Sequence, residues 1–242
     1  MSTNHNPADS PYYLRLFLAE IPSGASPKAK SESSAVNASN SKPESVLARR
    51  LAARALESYL GYKPSPEILG GETRTPEETR TPQGKPYFQD YPDFHYNISH
   101  SGKYVVCGMI CGGKDSQPVG IDIQEIPADP KKALKIADHF FSDAEKESLH
   151  ALVSEGDSSF ALILFCRYWT ARESYMKLTG KGLAEPFSQY RPDLEHNRII
   201  TSDLENEVYL TECRAPDGYC LSVSSYIPLE PAAVQVINIC IN

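Results

Sequence analysis

Basic residues are in deficit along this 242-residue chain, with 24 Lys plus Arg against 31 Asp plus Glu and a net charge of -7. That balance argues against binding nucleic acid or an anionic membrane through a broad basic face, so an anionic ligand must be held by a local cluster of cations. Residues 1–11 contain neither Lys nor Arg, and no apolar run follows that is long enough for a signal-peptide core or a spanning helix. The expectation is a cytoplasmic protein with no membrane attachment. Pairing signals for cysteine are also missing. The six cysteines, at 107, 111, 166, 213, 220 and 240, form no Cys-x-x-Cys and no Cys/His spacing typical of zinc. Several fall in apolar, strand-like stretches and are expected to be reduced core residues.

What the chain does have is 40% hydrophobic and 23% charged residues, the balance of a globular protein with one core or two small joined halves. Tyr12 to Leu18 reads as a first strand. Residues 22–43, rich in Ser, Ala, Lys and Asn, bury too little to offset the entropy of ordering and are expected to form a mobile loop. A helix is predicted over 44–60, where Leu47, Leu51, Ala55, Leu56, Tyr59 and Leu60 make an apolar stripe and Gly61 ends it. Residues 72–82, which repeat Glu-Thr-Arg-Thr-Pro, suit an extended surface connection.

Strands are predicted at 94–98 and 104–110, and another carries Asp122. Asp129-Pro130 is a helix start, and Ser142-Asp143-Ala144-Glu145 is a capping box. The longest helix is predicted from Ser159 to Thr179, stopped by Gly180, with further strands at 207–213, 219–226 and 233–240. Hairpins mixed with helices favour an α+β class over a doubly wound parallel sheet.

Three segments could carry chemistry. In Val119-Gly120-Ile121-Asp122-Ile123, strand alternation puts the two isoleucines on one face and Asp122 on the other, which holds a carboxylate rigidly. Glu173 lies 51 residues later and one helical turn before Lys177, on the helix that bears the single Trp. Together Asp122 and Glu173 suit one hard divalent cation that takes its remaining ligands from a diphosphate, with Lys177 beside a phosphate oxygen. Asn97-Ile98-Ser99-His100-Ser101 offers a hydroxyl, backbone N–H groups and an imidazole from Ser99 and His100. Lys85, in Gly84-Lys85-Pro86, sits on a short extended segment. Each of these residues alone has an ordinary alternative as a surface acid, a solvated ion pair, a turn histidine or an exposed lysine; their order along the chain is the signal.

That order, together with Phe140-Phe141-Ser142 and Trp169 through Lys177 followed by Gly180-Lys181-Gly182-Leu183, resembles the 4′-phosphopantetheinyl transferases of the surfactin-synthetase-activating (Sfp) type. The resemblance implies a monomer of two similar α+β halves related by a pseudo-twofold axis, here 1–116 and 117–242, the second carrying the metal site. It implies coenzyme A in the cleft between them, and transfer of the phosphopantetheine arm to a serine of an acyl or peptidyl carrier protein with release of adenosine 3′,5′-bisphosphate. Carried over by position, Asp122 and Glu173 bind magnesium or manganese, and Glu173 is also the general base. Lys177 steadies the diphosphate, Ser99 and His100 meet phosphates, and Lys85 lies near the nucleotide end.

The chain departs from the family pattern in three places. Gln124 stands where many relatives have a second acid, and is expected to hold a metal-bound water or coordinate weakly. Arg172-Glu173 replaces a Lys-Glu pair, keeping a coenzyme A-side cation with different hydrogen-bond geometry. The 3′-phosphate contact is left to Arg54, or to Arg49 or Arg50 on the same helix. Gln124 is also what makes a second reading worth weighing, a non-catalytic module that binds coenzyme A or a carrier protein.

Overall fold

The computed structural model describes residues 12–22, 42–61, 78–82, 84–112, 115–181, 189–202 and 206–239. In chain order the elements are β1 (Tyr13–Glu20), α1 (Pro43–Tyr59), β2 (Glu78–Arg80), β3 (Pro86–Phe88), β4 (Asn97–Ser101), β5 (Tyr104–Gly112), β6 (Asp115–Gln117) and β7 (Val119–Glu125). Then come α2 (Pro130–Phe140), α3 (Asp143–Ser154), α4 (Ser158–Thr179), β8 (Tyr190–Asp193), β9 (Arg198–Thr201), β10 (Val208–Glu212), β11 (Tyr219–Ser225) and β12 (Val234–Ile239). The class is α+β. No described helix is long and apolar enough to cross a membrane.

Two sheets carry the architecture. One runs β12-β1-β5-β4 with β6 on β5, and only its β1–β12 pair is parallel; the other runs β7-β11-β10-β9-β8, antiparallel throughout. The last strand, β12, therefore belongs to the sheet of the first. Leu14, Leu16, Val106 and Ile110 from one sheet meet Val119, Ile121, Ile123, Leu221 and Val223 from the other in a shared buried cluster. The opposite face of the first sheet is covered by α1, through Leu47, Leu51, Ala55 and Leu56. The far face of the second carries α4, whose Ala171, Tyr175 and Met176 pack with Leu210 and Ile199.

The edges of the sheets meet at β4 and β7. Asn97, Ser99 and Ser101 alternate along β4, and their side-chain oxygens accept from the amides of Ile121, Ile123 and Glu125 at 3.0, 3.3 and 3.0 Å. Side chains thus satisfy the open edge that β7 would otherwise present.

Most expected elements appear at their places, with ends shifted by one or two residues, but the strand expected at 94–98 runs three residues later, as Asn97–Ser101. Asp129 caps α2 by accepting from Lys131 and Lys132, the Glu145 carboxylate takes the amide of Ser142, and Gly180 closes α4 in the left-handed region at φ 70°. Strands β2, β3, β6, β8 and β9 were not expected. Residues 78–80, read as part of an extended connection, pair with Pro86–Phe88. The expected mobile loop falls almost wholly on residues 23–41, outside those described. Cys107, Cys111, Cys166, Cys213 and Cys220 are free thiols; Cys240 is not among the described residues.

Candidate active site

Helix α4 lies close on β7 and β11, and the sequence permits this at Gly120. A Cβ there would sit 1.9 Å from the carbonyl oxygen of Ser174 and 2.3 Å from the amide nitrogen of Leu178. Small polar residues complete the seam: Thr170 meets Ser222 and Ser174 meets Ser224, each at 2.8 Å between hydroxyls. This approach brings the last turns of α4 over Asp122.

Asp122 is 5% exposed. Its Oδ1 accepts from Lys177 Nζ at 2.6 Å and from the Ser99 hydroxyl at 2.8 Å, while Oδ2 is buried with no hydrogen-bond partner. Burial pushes the carboxyl above its ordinary range, and the Lys177 and Ser99 bonds pull against that rise. Glu173 is raised too, first by burial and then by the charge of Asp122, with Lys177 opposing. A buried carboxylate with an unsatisfied oxygen, and a second whose ionisation the charge of the first disfavours, form a donor set that fits a divalent cation with oxygen ligands. Among the described residues no group of three or more His, Cys, Asp or Glu side chains converges, so such an ion would need ligands from its substrate or from water.

Beside this pair opens a cavity of ≈ 540 Å³ between α1, β2, the 84–86 segment, β4 and α4. Its walls include Glu44, Ser45 and Arg49 of α1, Glu78 and Arg80 of β2, Lys85, His100 of β4, and Glu173 and Lys177 of α4. In a chain of net charge -7, four arginine and lysine side chains around one cleft are the local cationic cluster that an anionic ligand requires. Lys85 bridges to α4, its Nζ donating to the carbonyl of Leu178 at 3.3 Å, and burial lowers its pKa.

The structure brings Asp122, Glu173, Lys177, Lys85 and His100 to one place, and treats the other sequence candidates differently. Ser99 is 4% exposed, and its hydroxyl donates to Asp122 and accepts from Ile123 N–H and from Lys177 at 2.9 Å, so it fixes the aspartate. Arg172, 1% exposed, points away from the cavity: it pairs with Glu145 at 2.6 Å and stacks over the Phe141 ring at 4.5 Å. Gln124 donates to the carbonyl of Glu125 at 3.1 Å and is not on the cavity wall. Arg54 is buried and pairs with Glu57 at 2.9 Å, whereas Arg49 lines the cavity. Five residues along a helix is a rotation of about 140°, so both arginines cannot face one cleft.

Sequence reasoning missed Glu78 and Arg80, because residues 72–82 read as surface linker. The available signal was the alternation Glu78-Thr79-Arg80, which puts both charges on one side of a strand. Glu78 accepts from the hydroxyl of buried Tyr96 at 3.2 Å, which orients its carboxylate in the wall.

Comparison with known proteins bears on this arrangement. Residues 118–224, from β7 through β11, match the model of the 4′-phosphopantetheinyl transferase superfamily. The similarity to that superfamily thus covers 107 of the 242 residues. It is 32% identical over 158 residues to the 4′-phosphopantetheinyl transferase Sfp of Bacillus subtilis, covering 64% of this chain and 65% of Sfp. It is 39% identical over 150 residues to a 4′-phosphopantetheinyl transferase of Bacillus pumilus, covering 62% and 54%. A mouse relative, L-aminoadipate-semialdehyde dehydrogenase-phosphopantetheinyl transferase, is 28% identical over 145 residues, covering 57% and 44%. The chain spans less than two thirds of the length of each of these transferases. Within the superfamily match lie Asp122, Glu173 and Lys177; the cavity walls from α1, β2 and β4 lie before it.

Proposed function

We infer that this protein transfers the 4′-phosphopantetheine arm of coenzyme A to a serine of an acyl or peptidyl carrier protein, releasing adenosine 3′,5′-bisphosphate. The observation that carries the reading is Asp122, whose buried oxygen Oδ2 has no partner beside Glu173 and Lys177, at the edge of a cation-lined cavity of ≈ 540 Å³. That volume falls in the range for a cofactor-sized ligand.

In this mechanism Asp122 and Glu173 would hold a magnesium or manganese ion. Bound there, such an ion would supply charge neutralisation to the diphosphate. Lys177 leaves its contact with Asp122 to meet a phosphate oxygen, and Arg49, Arg80, Lys85 and His100 position the rest of the anion. Glu173 accepts the proton of the incoming serine hydroxyl as the serine oxygen attacks the pantetheine-side phosphorus and the P–O bond to the adenosine side breaks. Ser99 keeps Asp122 in its rotamer, and the Arg172–Glu145 pair ties the start of α3 to α4. Catalysis here is positioning plus electrostatics, as expected where phosphoryl chemistry asks little covalent work of the protein.

The proposal extends to organisation. The chain acts as a cytoplasmic monomer of two related halves, about 1–116 and 117–242, with β12 returned to the first sheet and the ligand cleft between them. The exposed apolar Ile136 and Phe140 of α2 offer a surface for the carrier protein.

The test is product analysis. Incubated with coenzyme A, magnesium and an apo carrier protein, the protein should release adenosine 3′,5′-bisphosphate in one-to-one ratio with carrier modified. Coenzyme A binding without release, across acyl and peptidyl carriers, would instead establish the non-catalytic module.

A further inference from the structure

The seam between α4 and β11 has a third rung. Residues 166, 170 and 174 recur every four positions on the helix, a rise of about 6 Å, and residues 220, 222 and 224 recur every two on the strand, a rise of about 6.7 Å. The steps match, so side chains stay opposite one another: Ser174 with Ser224, Thr170 with Ser222, and Cys166 with Cys220. The two thiols are near enough to interact across this rung. The strand register confirms the meeting point independently, since Cys220 lies opposite Gln124 on β7 and Cys166 Sγ donates to the Gln124 carbonyl at 3.5 Å.

We propose that Cys166 and Cys220 form a dithiol site that oxidises reversibly to a disulfide, clamping α4 to β11 in its native register. Cys166 is fully buried and Cys220 half-buried, so the order of events follows from access. With hydrogen peroxide as oxidant, the Cys220 sulfur attacks one peroxide oxygen, the O–O bond breaks, and a sulfenic acid and one water result. The Cys166 sulfur then displaces the sulfenic oxygen as a second water and the S–S bond forms. Two thiols are oxidised, one peroxide is reduced and two waters leave. The clamp acts on the helix that bears Glu173 and Lys177, and it closes a loop of more than fifty residues in the unfolded chain, so it stabilises the fold. Cys107 and Cys111 lie elsewhere, in the core between α1 and the first sheet. The site does not depend on the proposed transfer reaction.

The experiment is a thiol map of the folded full-length protein after treatment with hydrogen peroxide. Remaining thiols are alkylated in denaturant and the peptides are analysed without reduction. The expected result is a cross-link joining the peptides of Cys166 and Cys220, reversed by dithiothreitol, with Cys107 and Cys111 still alkylated and the thermal midpoint raised by on the order of 5 °C. In Cys166→Ser, whose hydroxyl suits a seam of serines and threonine, Cys220 should instead advance to sulfinic acid. Alkylation of both Cys166 and Cys220 in the treated wild type, or cross-linking of Cys220 to another cysteine, overturns the proposal, and neither readout involves phosphopantetheine transfer.

Discussion

Replacing Gly120 by Ala is the substitution whose consequence the geometry defines most closely. The new methyl carbon would meet the Ser174 carbonyl at 1.9 Å and the Leu178 amide at 2.3 Å, both of them backbone atoms that no rotamer change can move. Restoring ordinary contact near 3.4 Å requires α4 to retreat by about 1.5 Å. A shift of that size breaks the Thr170–Ser222 and Ser174–Ser224 bonds, each 2.8 Å now and each worth about 1 kcal/mol. Overpacking adds about 1–3 kcal/mol, for a total of roughly 3–5 kcal/mol. The same shift carries Glu173 and Lys177 away from Asp122, and misplacement on this scale costs about 100-fold in rate. Urea denaturation gives the first quantity and transfer to a carrier protein the second. A variant within about 0.5 kcal/mol of wild type and of normal rate would refute the claim that close approach of α4 on β7 builds the site.

Glu173→Gln should lower transfer by about 10²–10⁴-fold. It should also raise the stability of the metal-free protein at neutral pH, because burial and the Asp122 charge disfavour the ionised form of the carboxyl it removes. The sign follows from linkage. A carboxyl raised in the folded state contributes stability present below its unfolded pKa and lost as pH rises through its folded pKa, so metal-free wild type should lose stability on going from acid to neutral pH and magnesium should restore it. A thermal midpoint flat across that window would remove the carboxylate pair as its cause. Glu145→Ala should cost about 3–5 kcal/mol in denaturation, since it strands the buried Arg172 guanidinium; a loss under about 1 kcal/mol would mean water replaces the partner. Gln124→Glu should be tolerated, with magnesium affinity measured by calorimetry unchanged or tighter, and a large loss of activity would reveal a specific contact made by the amide.

How much of this was legible in the sequence depended on whether a signal was local. Caps and stops were readable because they act within one turn: Asp129-Pro130, Ser142 with Glu145, and Gly180 each mark a helix end where they stand. Asp122 was readable because alternation with Ile121 and Ile123 forces it off the core face, and Glu173 with Lys177 because they share a helix face. Long-range partners were not readable. Arg172 looks like a ligand-binding cation until Glu145 arrives from another helix, 27 residues earlier, and Ser99 looks like a phosphate contact until Asp122, Lys177 and the Ile123 amide occupy its hydroxyl. The choice between Arg49 and Arg54 turned on helix rotation relative to a cleft whose walls come from five segments. The short strands β8 and β9 join at a turn where Asn197 takes a positive φ of 53°, and four-residue strands carry too little alternation to announce themselves.

The most direct test of the account is intact-mass analysis of an apo carrier protein incubated with this protein and coenzyme A, with magnesium and with the metal chelated. The account predicts a gain of one phosphopantetheine arm on the carrier, dependent on the metal. An unmodified carrier in both conditions, for acyl and peptidyl carriers alike, would contradict it.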